Sequence, residues 1–335
     1  MGTKGSSLAK KIEGIVESTP CRMGVSVRVV GKGSVLEIDS ERPFSLASVY
    51  KIPLMATLFH KVEEGEIDLG ERLTLREEDK SLGANDLQYM RAGLNLTLHD
   101  LCLEMIVHSD NTATDMVHRR MGIEVPEQYM KELGLDSFDI YCPCREYYFL
   151  LLGWAGRFTG MPLKDIVSEW EGMTNKERIQ LFEEIRAQNR HRSMKEAQKL
   201  ATKIWGYADE KETALDRRAS WLMDNHGSPQ DVTKLLEMIV TSKITSKENT
   251  DQMLQYMLLC DSRGRLPARI PPTIRVANKT GTVPGTVNDC AIIFASKKNT
   301  VICTCLSDDV KYKDKPAVAK SMSEIGYALY EAYSK

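Results

Sequence analysis

Nothing in this 335-residue chain approaches the roughly 20 consecutive apolar residues that a membrane-spanning helix needs. The N-terminus also lacks the basic start, apolar stretch and small-residue cleavage site of a secretory signal. A cytoplasmic protein is therefore expected as the chain is written, and a periplasmic or secreted one if a leader has been removed. Charge of one sign is missing too, since 45 Lys and Arg stand against 47 Asp and Glu for a net charge of -2. Without a basic field neither nucleic acid nor an anionic membrane is expected as a partner, and a small-molecule or peptide-like substrate is expected instead. Metal-ligand spacing is absent as well: Cys142-Pro143-Cys144 is not CxxC, and no second pair with histidine accompanies it. The eight cysteines read as reduced thiols, most of them inside apolar runs where a free cysteine behaves as a small core residue.

What is present is an ordinary globular composition, 42% hydrophobic and 27% charged, in a chain long enough to bury a substantial core. Ser7 to Glu17 carries Leu8, Ile12 and Ile15 at helical spacing, and Met23 to Val30 then alternates Val25, Val27 and Val29 with polar residues. Gly31-Lys32-Gly33 turns into a second β-prone run, Ser34 to Ile38, which predicts a hairpin. Three further β-branched runs follow far downstream, Thr273 to Ala277, Cys290 to Ala295 and Thr300 to Leu306, before a helical pattern over Ala317 to Tyr333. Between the two sets lie helical patterns near Ile52 to Glu64, Leu98 to Val107, Ala113 to Met121, Pro126 to Leu133 and Val232 to Thr241. The expected fold is α+β, an α/β sandwich: a five-stranded antiparallel sheet flanked by N- and C-terminal helices, interrupted by an all-helical domain. The boundaries expected are 1–45 plus 230–335 for the sheet domain and 46–229 for the helical domain. The site should lie where the two meet.

Three short elements carry chemistry. Ser48 and Lys51 stand three residues apart at the start of a predicted helix, so their side chains share one face. A serine hydroxyl attacks poorly until a base takes its proton, and a lysine desolvated in a cleft can have its pKa lowered enough to do so. Ser109-Asp110-Asn111 follows 61 positions after Ser48, directly behind the apolar helix at Leu98 to Val107. There Asp110 suits a helix cap, while the Ser109 hydroxyl and the Asn111 carboxamide can relay a proton and hold a substrate amide. The third element, Lys279-Thr280-Gly281-Thr282, lies on a predicted strand, where Lys279 supplies charge and Gly281 lets backbone approach a ligand.

In this order the three elements resemble the class A β-lactamases and penicillin-binding proteins. The resemblance implies Ser48 as acylated nucleophile, Lys51 as its base or proton relay, Ser109 as proton donor to the leaving nitrogen and Asn111 as a ligand of the substrate amide. Lys279 would hold an anionic group with Thr280 beside it, and the NH groups of Ser48 and Thr282 would form the oxyanion hole. The implied substrate is a β-lactam or a peptide-like amide, with no metal and no organic cofactor; monomer and dimer stay open. Within the same fold a D-Ala-D-Ala-type peptidase, an esterase or amidase, and a slow-turnover penicillin-binding or sensor protein are the alternatives.

The chain departs from that pattern in three places. Ser109 and Lys279 are 170 positions apart, longer than in the family, which implies an extra helical insertion at about 150–210. With Trp154, Phe158, Trp170 and Trp205 among charged stretches it reads as an amphipathic cap or a partner-binding face. The family's water-activating glutamate has two candidates, Glu212 in Glu212-Thr-Ala-Leu-Asp216, and alternatively Glu146. Finally, Asp289 stands where the family often has a substrate-binding arginine, and it would cap a turn or receive a substrate amine.

Overall fold

The computed structural model describes residues 3–83, 86–206 and 211–335. Its centre is a five-stranded antiparallel sheet in the order Gly33–Ile38, Arg22–Val29, Asn299–Asp308, Thr286–Ser296, Val276–Val283. The middles of the strands Thr286–Ser296 and Asn299–Asp308 are apolar on successive residues because both faces of the sheet are covered. On one face Ala291, Ile293, Val301 and Cys303 join Val25 and Val27 beneath the terminal helices Thr3–Ser18 and Lys315–Tyr333, which supply Ile12, Val318, Met322 and Ile325. On the other, Ala277, Cys290, Ile292, Ile302 and Leu306 join the core of the helical body. The alternation along each strand thus splits one chain segment between two cores.

The strand expected over Thr273 to Ala277 starts later, at Val276, because Pro271 to Ile274 closes a turn, with the Ile274 amide donating to the Pro271 carbonyl at 2.9 Å. It then continues through Lys279 to Val283. The helices at Lys51–Glu63, Leu98–Val107, Asn111–Met121, Val125–Glu132 and Pro229–Val240 lie where periodicity placed them, to within a few residues. Capping residues set their starts: Thr97 Oγ1 accepts from the Asp100 amide at 3.0 Å, and Ser228 Oγ accepts from the Asp231 amide at 3.1 Å.

Between Cys142 and Asn225 the chain leaves this framework and makes the helices Cys144–Leu151, Leu163–Glu171, Asn175–Gln188, Met194–Trp205 and Ala214–Met223. They enclose a second core in which Phe158, Trp170 and Trp205 are buried, so these aromatics face inward and are not presented to a partner. At its neck the amides and carbonyls of Asp139 and His226 pair at 3.0 and 2.9 Å, and the Asn225 side chain spans the same two segments. Asn225 Oδ1 accepts from the Tyr141 and Cys142 amides at 2.9 and 2.8 Å, and its Nδ2 donates to the Cys142 carbonyl at 2.9 Å. Arg145, 1% exposed, adds a second tie by donating to the carbonyls of Lys80 and Asn189.

Asn225→Ala leaves two buried N–H groups without an acceptor and is expected to lower stability by about 2–4 kcal/mol. A urea unfolding midpoint that does not move would show that the neck is held by other contacts.

Candidate active site

The segment Phe44–Ser45 pairs with His226–Gly227, and the chain then turns sharply into a short 3-10 helix, Ala47–Tyr50, that runs on into the helix Lys51–Glu63. Ala47 makes the turn at φ +45°, a left-handed conformation costly for a residue with a Cβ. Three hydrogen bonds with two side chains hold it there. The Ala47 amide donates to Asp224 Oδ2 at 2.8 Å, and Asn288 Nδ2 donates to the Ser45 and Leu46 carbonyls at 2.8 and 3.2 Å. Ser48 follows, half-buried and facing a cavity of about 30 Å³ lined also by Asn111, Cys142, Cys144, Asp224 and Thr282.

Lys51 is fully buried one helical turn on. Its Nζ donates to the Ser109 carbonyl at 2.7 Å, to Ser109 Oγ at 3.1 Å and to Asn111 Oδ1 at 2.7 Å. Lys279, equally buried, donates to the same Ser109 Oγ at 2.9 Å and to the Thr280 carbonyl at 3.2 Å. Ser109 therefore lies between the two ammonium groups, with φ +59° turning its carbonyl and hydroxyl toward Lys51. Asp110 caps the next helix by accepting from the Ala113 amide at 2.9 Å. Burial lowers the pKa of both lysines, that of Lys51 to about 8.

Gly281 explains how the Lys279 strand reaches Ser48. A Cβ there would lie 2.6 Å from the Leu46 carbonyl oxygen and 3.1 Å from the Ser48 amide nitrogen. Only glycine lets the strand lie against the turn, and this brings the Thr282 backbone to the cavity that Ser48 faces.

Of the residues singled out from sequence, Ser48, Lys51, Ser109, Asn111, Lys279, Gly281 and Thr282 converge here, with Thr280 contributing its carbonyl. The other three lie elsewhere. Glu146 is buried and paired to Arg119 at 2.6 Å, with Arg186 at 3.8 Å. Glu212 pairs with Lys315 at 3.5 Å and Arg217 at 4.0 Å. Asp289 is buried and bonded to the Leu266 amide at 3.0 Å and Asn278 Nδ2 at 3.2 Å, with burial raising its pKa to about 6. None of the three lines the cavity at Ser48.

Asp289 instead anchors the loop that carries Arg265. The Arg265 guanidinium donates to the Gly281 carbonyl at 2.8 Å and to the Asn288 carbonyl and Thr282 Oγ1. A cation thus lies beside the Lys279 strand, and it arrives from a separate loop. Sequence reasoning passed over Arg265, Asn288 and Asp224, and only Arg265 has any local signal, a basic residue in the Gly-containing loop Arg263-Gly264-Arg265. Cys144, read there only as one half of a weak Cys-Pro-Cys pair, borders the cavity with its thiol 3.0 Å from Tyr50 Oη.

A family model described as "Beta-lactamase enzyme family" matches residues 7–333. The chain belongs to the beta-lactamase enzyme family. Among curated relatives it is similar to Beta-lactamase SME-1 of Serratia marcescens, 26% identical over 137 residues, which is 40% of this chain and 46% of that protein. A Rhodobacter capsulatus beta-lactamase is 27% identical over 133 residues, 39% and 45% of the two chains. The chain thus spans under half the length of the curated relatives it matches. Over the whole fold it resembles a solved beta-lactamase from Sphaerobacter thermophilus, with TM-score 0.69, 20% identity and coverage of 98% and 96% of the two chains. A PBP-A variant, solved as its acyl-enzyme complex with penicillin G, matches with TM-score 0.69, 22% identity and coverage of 98% and 96%. The motif resemblance and the expected fold class agree with these findings.

Two outcomes follow from the geometry. Below a pKa of about 8 Lys51 is an ammonium with no lone pair, so the rate at which Ser48 takes up an acylating probe should climb about tenfold per pH unit toward that value and level off above it. A flat profile from pH 6 to 9, followed by intact mass, would exclude Lys51 as the base. Gly281→Ala must push the strand off the Ser48 turn, and the same rate should drop by on the order of 10²–10³, the effect of losing one oxyanion donor.

Proposed function

We propose that this member of the family is a serine hydrolase that forms an ester on Ser48 with a β-lactam or a related peptide-like amide. The observation that carries the reading is the Ser109 hydroxyl, held at 3.1 and 2.9 Å between Lys51 and Lys279, with Lys51 tied at 2.7 Å to Asn111, which lines the Ser48 cavity. Neutral Lys51 takes the Ser48 proton as Oγ bonds to the amide carbon. The NH groups of Ser48 and Thr282 hold the oxyanion. Ser109 then gives its proton to the leaving nitrogen as the C–N bond breaks and takes the proton that Lys51 received from Ser48, so that Lys51 is neutral and Ser109 a hydroxyl again, with Lys279 stabilising the charge that passes through it.

Two features bear on the substrate. Lys279 and Arg265 put positive charge on one side of the site, which supports a substrate with a carboxylate. Beyond Thr282 and Val283 lies a pocket of about 260 Å³ lined by Leu82, Tyr148, Leu151, Ala201 and Trp205, which suits an apolar substituent. Helix Met194–Trp205 supplies part of its wall, so the insertion takes part in choosing the substrate. The β-lactamases and the penicillin-acylated PBP-A variant among its relatives support the same substrate class. The placement of Glu146 and Glu212 favours a second reading, an enzyme that acylates readily and releases its ester slowly. For location, no helix among the described residues is long and apolar enough to cross a membrane, and eight free cysteines support a reducing compartment.

The test is to mix the protein with a chromogenic cephalosporin and with benzylpenicillin, following absorbance and intact mass. An adduct or turnover is expected in the wild type, with acylation lower by about 10³-fold or more in Ser48→Ala. Equal turnover in that variant would remove the reading.

A further inference from the structure

A serine hydrolase of this design needs a base for the water that releases the ester, and neither glutamate that sequence put forward lines the cavity at Ser48. Among the described residues the cavity at Ser48 is lined by a single carboxylate, Asp224. Asp224 is 5% exposed and lies at the C-terminal end of the helix Ala214–Met223, where the inserted segment returns to the framework. Its position relative to the nucleophile is set by hydrogen bonds. Oδ2 accepts from the amide of Ala47, the residue before Ser48, at 2.8 Å, and from Ser45 Oγ at 2.5 Å. Both bonds fall on one oxygen, so the carboxylate is oriented while Oδ1 is used by neither.

We infer that Asp224 is the catalytic carboxylate that activates water for release of the Ser48 ester. The inference rests on the acyl-enzyme reading above. The cavity volume of about 30 Å³ exceeds the roughly 10–15 Å³ that one water requires, and its polar lining from Ser48, Asn111, Asp224 and Asn225 supplies the two to four partners a held water needs. In the step proposed, Asp224 takes one proton from water as the water oxygen bonds to the ester carbon. The tetrahedral adduct then expels Ser48 Oγ, the C–Oγ bond breaks, and the proton passes from Asp224 to that oxygen. One water is consumed, the free acid leaves, and both side chains return to their starting states.

The other groups at the cavity do not fill this role. Cys144 borders Lys51, but burial raises its thiol pKa far above neutrality, and the thiol is engaged with Tyr50 Oη. Tyr147 is likewise held in its phenol form by burial and bonded to Ser220 Oγ at 2.6 Å. Burial also raises the pKa of Asp224, which makes it a stronger base than an exposed aspartate.

Asp224→Asn tests this with little disturbance, because an amide oxygen can still accept from Ala47 and Ser45. Formation and loss of the penicilloyl adduct on Ser48 are followed by quenched-flow intact mass in both proteins. Acylation should stay within about threefold of wild type while release slows by about 10²–10⁴, so that the adduct accumulates. Hydroxylamine, a nucleophile that needs no base, should free the adduct from the variant and the wild type at similar rates. Release unchanged in the variant overturns the inference, and so does a wild type that never releases its ester. Acylation and release falling together, with hydroxylamine ineffective, would make Asp224 a purely structural anchor of the turn. A wild type that forms no adduct with penicillin or cephalosporin sinks the acyl-enzyme reading itself, a separate outcome from these.

Discussion

Two ammonium groups held out of water at a single hydroxyl are the constraint around which this protein is arranged. Burying one lysine is costly and burying two side by side is costlier, because each raises the price of keeping the other charged. Lys51 meets three acceptors, two of them on Ser109, and Lys279 donates to one of those two, the Ser109 hydroxyl. That arrangement requires Ser109 to sit in the left-handed region, where one residue can aim both its carbonyl and its hydroxyl at one ammonium. It also requires Asp110 directly behind to cap the next helix, which fixes the Ser109 bend from the other side. Lys51 stands at the first turn of its own helix, where the helix dipole further disfavours a positive charge. The frustration is what lowers the pKa of Lys51, as the base proposed for it requires.

The other half of the site is a problem of close approach. The turn before Ser48 is strained at Ala47, and it is gripped from three directions: by Asn288 from the sheet, by Asp224 from the end of the insertion, and by the Gly281 strand lying against it. Strain of this kind persists only where surrounding contacts over-determine the conformation. The inserted helices are coupled to the Ser48 turn by these contacts, for their core reaches Ala47 and Val283 at the edges of the site. A segment that looks in sequence like an appended cap is part of the cavity wall and of the anchoring of the turn that carries Ser48.

Charge placement in the insertion follows from the same burial. Glu146 lies within a network of Asp115, Arg119 and Arg186 that joins the insertion to the helical body, and the partners of Glu212 likewise hold it away from the cavity. An arginine beside a buried carboxylate is the usual way to keep it charged, and a carboxylate so engaged is not free to turn toward a substrate.

Period and spacing by themselves determined the strands at Arg22–Val29 and Asn299–Asp308, the helices around the second motif, and the placing of Ser48 and Lys51 one turn apart on adjoining helical segments, since these are set by geometry a few residues apart along the chain. The order of the three motifs likewise identified Ser109, Asn111 and Lys279 as one site. Tertiary structure alone decided which carboxylate and which arginine come near. Asp224 reaches Ala47 across 177 positions and Arg265 reaches Thr282 from another loop, partnerships with no periodic trace. Glu146 and Glu212 have plausible local spacing yet end among arginine and lysine side chains. A side chain's neighbours along the chain follow from backbone geometry, whereas its neighbours through space depend on how separate elements pack, and that is settled only when the whole core closes.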